Sequence, residues 1–207
     1  MAAAGLESLA EIEAAVWREL GQAVRDKQHA WRVGVLATVD GAAADARSVV
    51  LRDLDESSRT LLIYTDARSP KAAQLVAHPA GTLVLWSEAL AWQLRLRVML
   101  SLETAGLDVS SRWARLKLTP AARDYLSPLP PGTLLDAVTP TVTPEAARAV
   151  ARAVMPAVVP AVVPERQSRD HFAVLAAQVQ SVDWLDLNAQ GQRRALFSAT
   201  GAAWITP

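Results

Sequence analysis

The chain has 207 residues, no cysteine, and 21 basic against 21 acidic residues, for a formal charge of zero. That length suits one domain with appendages, burying about 70% of its unfolded surface. Neutrality argues against nucleic acid, whose binders carry a basic excess, and the lack of cysteine removes disulfides, thiol catalysis and thiolate metal sites. His29, His78 and His171 have no ligand-like spacing, so no metal centre is expected. The N-terminal text MAAAGLESLAEIEAAVW carries acids where a signal peptide needs cations, and no apolar run reaches membrane-spanning length. A cytoplasmic protein without membrane or nucleic-acid partners is expected.

In chain order, Leu6, Leu9, Ile12, Val16, Leu20 and Val24 recur at spacings of three and four, which predicts an amphipathic helix over residues 5–28. WRVGVLATVDG alternates and ends in Asp40-Gly41, a hairpin signal. ADARSVVLRDLD is the return strand, and RTLLIYTD follows after a polar turn. A short helix runs from Ser69 to about His78 and stops at Pro79. GTLVLWSE and WQLRLRVMLSLE are two further strands. In the second, Leu94, Leu96 and Val98 alternate with Gln93, Arg95 and Arg97, so one face is apolar and the other basic.

Helical text returns at VSSRWARLKL and AARDYL. Residues 128–168 hold most of the chain's twelve prolines among Ala and Val, and read as an extended arm around one short helix, PEAARAVARAV. HFAVLAAQVQSVDWLDL, RRALFSA and AAWITP return to strand character. The predicted fold is mainly β with flanking helices (α+β), an antiparallel six- to seven-stranded split β-barrel forming a single domain over residues 1–207. Most of the tryptophans are expected in the core or in a subunit contact.

The stretch YTDARSPKAAQL, residues 64–75, joins a strand to a helix with more charge than a turn requires. Ser69 as N-cap and Pro70 at the first helical position supply the turn and the helix start. Arg68 and Lys71 then stand at a helix N-terminus, where backbone amides and the dipole favour an anion. Either they are solvated surface, or a phosphorylated ligand sits there.

Four pieces in order, RSVVLR, YTD, SPK before a helix, and WQLRLRV, resemble the FMN-binding split barrel of the pyridoxamine 5′-phosphate oxidase family. The resemblance implies an FMN cofactor, with Arg47, Lys71 and Ser69 holding its phosphate through charge-assisted hydrogen bonds. It implies that the backbone of Ser48, Val49 and Val50 runs along the isoalloxazine edge. Tyr64 and Thr65 would flank the ribityl chain and ring, the Gln93 amide would reach the ring or ribityl oxygens, and Arg194 would match a C-terminal flavin-contacting arginine. Arg52 stands where the oxidases use a lysine on the substrate phosphate. The resemblance further implies a homodimer with flavin at the subunit interface and an oxidoreductase acting on a small organic substrate. The alternative is a non-catalytic protein of the same fold that holds flavin, deazaflavin or haem.

This chain also departs from the family pattern. Pro70 replaces one phosphate cation, for which Arg68 is a candidate substitute. The positions of the substrate-binding Tyr, Arg and Ser fall near Lys117, Ala121 and Tyr125, and apolar text near residues 133–135 replaces the partner's Gln-Ser pair. Gln192 precedes Arg193-Arg194 where a divergent branch has His. The pattern implies a relative that keeps the flavin site and loses the vitamin-phosphate site.

Overall fold

The computed structural model describes residues 7–134, 171–189 and 191–207. Most of the proline-rich arm, with its expected helix, lies outside them.

Helix α1 spans Leu9–Ala23 and buries Ile12, Ala15, Val16 and Leu20. It is shorter than the periodicity suggests, for local reasons at each end. Ser8 and Glu11 form a reciprocal capping box that fixes the start. At the other end the Arg32 guanidinium donates to the last carbonyls, those of Ala23 and Val24.

Eight antiparallel strands follow: β1 (Val33–Asp40), β2 (Ala43–Asp55), β3 (Thr60–Asp66), β4 (Ala80–Ser87), β5 (Trp92–Glu103), β6 (Phe172–Asp186), β7 (Arg193–Ser198) and β8 (Gly201–Ile205). The β1–β2 turn uses Gly41 at φ +59°, a left-handed conformation that glycine adopts without strain. Strand order is β3-β2-β1-β4-β5-β6-β7-β8, and an additional β3–β6 pairing closes the first six into a ring. The antiparallel split-barrel class read from the sequence is what the chain adopts, with β7 and β8 as a hairpin extending from the ring. β6 belongs to both parts. It pairs with β3 through Gln178 and with β7 from Ser181, and the β5–β6 register slips between Arg97 and Val98, where it changes partner.

Leu36, Leu51, Leu61, Ile63, Leu83, Leu85, Leu94 and Leu96 fill the ring together with Trp31, Trp92 and Trp184. Packing is close enough that a Cβ on Gly34 would lie 2.4 Å from a Leu85 methyl and 3.1 Å from the Val84 carbonyl oxygen. The indole nitrogens of Trp17, Trp31, Trp92 and Trp184 are buried without an acceptor among the described residues. Each such donor costs about 1–3 kcal/mol.

Two helices position the candidate site. α2 (Pro70–Ala77) closes one end of the ring by packing on β1 and β5. α3 (Leu107–Leu116) and a 3₁₀ turn, Pro120–Tyr125, form a second apolar cluster with Phe172 and Val174, outside the ring. No helix among the described residues is long and apolar enough to cross a membrane.

Candidate functional site

The site begins with an interruption in the sheet. β2 pairs with β3 only from Leu51 to Asp55, whereas its pairing with β1 continues from Val50 to Ala43. Ser48, Val49 and Val50 therefore have one backbone edge with no strand partner among the described residues. Beyond Ile63 the other lip turns away: Tyr64, Thr65 and Asp66 pair with Val174, Ala173 and Phe172 of β6. The result is a seam between β2 and β3 lined by free peptide groups, with three residues between the end of β3 and the start of α2.

Arg47 lies next to that edge, directly opposite Leu36, on the ring's inward side. Its guanidinium donates to the Leu36 carbonyl (3.2 Å), the Thr38 hydroxyl (2.6 Å) and the Gln74 side-chain oxygen (3.0 Å), and pairs with Asp45. Gln74 also accepts from Thr38 (2.6 Å) and donates to Asp45 (2.8 Å). The bonds from Gln74 and Arg47 hold the Asp45 carboxyl below the usual carboxylate range.

Lys71 sits one residue after Pro70 in α2. Burial, and after it the charge of Arg47, push its ammonium below the ordinary lysine pKa, although Asp66 and Asp45 pull the other way. Its Nζ donates to the Ser69 hydroxyl (3.2 Å), which lies 3.4 Å from that of Thr65. Ser69 occupies the N-cap with Pro70 behind it, as the sequence indicates, but its side chain makes no capping bond. The hydroxyl is turned toward Lys71 and Thr65 instead. The structure thus brings Arg47, Thr65, Ser69 and Lys71 to one end of the ring.

Arg68, the candidate substitute phosphate cation, is bonded to groups outside the Arg47–Lys71 cluster. It donates to both carboxylate oxygens of buried Asp66 (3.0 and 2.7 Å) and to the carbonyls of Ser127 and Pro128 (2.9 and 3.2 Å). Burial raises the Asp66 carboxyl, and the Arg68 bonds more than reverse it, leaving it below its usual range. Arg68 therefore ties the root of the proline-rich arm to the start of α2.

Gln93 and Arg194 lie elsewhere, on the sheet's outer face. Gln93 faces Trp86 and Leu185, and Leu185 faces Arg194, so the four share one cross-strand row. Ser48 is on the same face, through Val35, Val84 and Arg95. Arg194 is held by two bonds to Asp183 (2.8 and 2.7 Å), and Arg95 is 3.4 Å from the same carboxylate. The Arg194 bonds in turn keep Asp183 below its usual range.

Arg52 and Tyr64 form a third group. Arg52 falls at the register slip between Leu51 and Asp53, where a bulge re-aims its side chain. Its guanidinium lies 5.5 Å from the Tyr64 ring centre, and its Nε is buried without a partner. Tyr64 also packs edge-on against Phe172 at 5.1 Å. Alternation sends the Tyr64 and Thr65 side chains to opposite faces, so Thr65 joins the Ser69 group and Tyr64 the Arg52 group.

Sequence reasoning missed Thr38, Asp45 and Gln74, which fix Arg47, and Arg112 of α3, which reaches Asp53 at 2.7 Å beside Arg52. Only Gln74 carried a signal, being three residues after Lys71 and so on the same helix face.

Residues 14–102 match the family model for the pyridoxamine 5′-phosphate oxidase, FMN-binding domain. The matched segment, which is under half of the chain, is similar to that domain. It contains β1 through most of β5, with every residue of the seam. A pyridoxine/pyridoxamine 5′-phosphate oxidase from Azorhizobium caulinodans is 43% identical over 63 residues, 30% of this chain and 29% of that protein. The chain thus matches under a third of that curated relative's length. Two solved structures are similar over nearly their whole length. A pyridoxamine 5′-phosphate oxidase-related, FMN binding protein from Nostoc punctiforme has a TM-score of 0.67 at 23% identity, covering 97% of this chain and 100% of that one. PhzG from Burkholderia lata, in complex with tetrahydrophenazine-1-carboxylic acid, has a TM-score of 0.64 at 13% identity, covering 98% and 95%. At these identities the likeness is one of fold.

Proposed function

We propose that the chain is an FMN-binding flavoprotein, an oxidoreductase of the pyridoxamine 5′-phosphate oxidase-like type acting on a small organic substrate. The observation that carries the proposal is the seam at Ser48–Val50. Unpaired peptide groups stand there beside two crowded, partly buried cations at a helix N-terminus. Burial first and Arg47 second lower the lysine pKa, and a phosphate dianion relieves the Arg47–Lys71 repulsion. The free β2 edge offers amides and carbonyls to the polar rim of a flat ring. These features fit FMN, with Arg47, Lys71 and Ser69 on the phosphate and the Ser48–Val50 backbone on the ring.

FMN, when bound, supplies hydride or electron transfer, and the protein supplies position and electrostatics. Arg47 is held ready by Thr38, Asp45 and Gln74, so little side-chain freedom is lost on binding. Arg52, beside the seam and with no carboxylate in ion-pair reach among the described residues, is the group that would orient an anionic substrate.

A second copy of the chain completes this reading. The outer face of β1 and β4 exposes Val33, Val35, Val39 and Trp86, and β5 adds Met99. This apolar face adjoins the row bearing Gln93 and Arg194. A homodimer that covers it, with flavin at the interface, would bury on the order of 2,000 Å² or more.

Absorbance of the purified protein, before and after adding FMN, tests the cofactor. A flavin spectrum that bleaches with a nicotinamide donor supports the oxidoreductase. A spectrum that does not bleach with any donor supports a non-catalytic holder of the same cofactor. Protein that stays colourless with excess FMN refutes both. Sedimentation as a stable monomer at micromolar concentration refutes the dimer.

A further inference from the structure

The chain has seven tryptophans but only two phenylalanines and two tyrosines. Four of the indoles lie in sequence across the molecule. Ring centres are 6.3 Å apart from Trp31 to Trp92, 5.4 Å from Trp92 to Trp184, and 6.5 Å from Trp184 to Trp204. Trp31, Trp92 and Trp184 are fully buried, whereas Trp204 is 46% exposed. Trp31, Trp92 and Trp184 leave their N–H groups without an acceptor among the described residues. Phenylalanine would fill such positions without burying an unsatisfied donor, so packing alone does not account for indoles there.

We propose that Trp31, Trp92, Trp184 and Trp204 form a conduit that carries oxidising equivalents from the ring interior to solvent at Trp204. Indole is the most readily oxidised ring among the ordinary aromatic side chains, and neighbours in contact can exchange an electron. A high-potential metal complex, such as a photogenerated ruthenium(III) polypyridyl, takes one electron from an inner indole, which becomes a radical cation. Each neighbour in turn gives up one electron to refill it. Without an acceptor on its N–H, a buried indole radical cation has nowhere local to send its proton. A cation is also poorly solvated in an apolar core. Both conditions change at Trp204, where water stabilises the charge and accepts the N–H proton. The balance is one electron to the oxidant, one proton to water and one neutral indolyl radical at the surface.

Trp92 and Trp184 adjoin Gln93 and Leu185 in the chain and face the other side of the sheet, so the conduit passes behind the outer row. It goes beyond the flavin reading and does not depend on it.

The test uses the chain's freedom from cysteine. Exposed Gln28, near Trp31, is changed to cysteine and labelled with a ruthenium polypyridyl photosensitiser. A cobalt(III) ammine serves as irreversible electron acceptor, and oxidised tryptophan is located by peptide mass spectrometry. Labelled Trp184→Phe, in which the conduit is cut, is the reference. Trp204 should be oxidised several-fold more in the labelled protein with Trp184 than in labelled Trp184→Phe. Equal oxidation of Trp204 in the two, or the same difference with free sensitiser and unlabelled proteins, overturns the proposal. If Trp184→Phe does not fold, the surface variant Trp204→Phe decides. Product should then appear on Trp184 or Trp92, and its absence from both overturns the conduit.

Discussion

Arg47 and Arg52 stand five residues apart on β2 and live in opposite circumstances. Arg47 is bonded to a carbonyl, a hydroxyl, an amide oxygen and a carboxylate. Arg52 rests on a tyrosine ring with its Nε buried and unpartnered. The difference follows from register: Arg47 continues the β1–β2 ladder, and Arg52 falls at the bulge where the β2–β3 ladder slips. A cation that is fully braced serves as a fixed anchor. One left with spare donors serves as a reader of whatever arrives.

The largest expected effect tests the anchor. Arg47→Ala with Lys71→Ala should weaken FMN binding by roughly two to four decades, at about 1.5–3 kcal/mol per charged hydrogen bond. Flavin absorbance after gel filtration reads this directly, and native retention by the double variant would show that Arg47 and Lys71 do not hold the phosphate.

Separating the two substitutions sharpens the contrast. Arg47→Ala should cost about 1–3 kcal/mol of stability, because Thr38, Asp45 and Gln74 lose a shared donor. Lys71→Met should leave the flavin-free protein no less stable, since it removes a crowded ammonium. Urea unfolding of both variants without FMN gives the comparison.

The same ammonium predicts a pH dependence. Its folded pKa is lowered by burial first and Arg47 second, so the unfolded chain binds more protons between that value and about 10.4. Stability of the flavin-free protein should therefore rise with pH through this window. FMN affinity should fall through it, as the cation that holds the phosphate is lost. The pH dependence of melts and FMN titrations should differ between the native chain and Lys71→Met only there, the variant binding FMN more weakly at every lower pH.

Arg52→Met should have a smaller effect, about 1 kcal/mol on stability, because it loses the cation–π contact with Tyr64 and the bond to the Tyr125 side chain. FMN retention should be unchanged, and KM for an anionic substrate should rise. Turnover of pyridoxamine phosphate by the native chain at about 1 per second or more would show that the vitamin-phosphate site survives. The smallest effect is expected from Ser69→Ala. Its hydroxyl makes no cap bond, so the usual cap penalty of about 1 kcal/mol should be largely absent from thermal melts.

The strands were legible because alternation and Gly41 mark them locally, and the grouping of Ser69 with Lys71 was legible because they flank Pro70. Arg47 joined them only through a resemblance, since nothing local to RSVVLR shows which strand end it meets. The seam could not be read at all. It depends on β3 leaving β2 for β6, and that partner lies more than a hundred residues further on. Thr38, Asp45 and Gln74 were missed for the same reason, coming from three separate elements. The end of α1 was misplaced because Arg32, beyond the helix, caps it.

Ring closure also sets the order in which the molecule can be made. Through Glu103 the chain can pair β1 to β5, but β3 and β5 each keep an open edge until Phe172–Gln178 arrives between them. Contacts of such sequence separation form slowly. During synthesis the five-stranded intermediate must wait with two unprotected edges, each able to pair with another chain. Aggregation during expression should therefore respond to the rate at which β6 is delivered, and a truncation ending before Phe172 should be insoluble even though every residue of the seam is present.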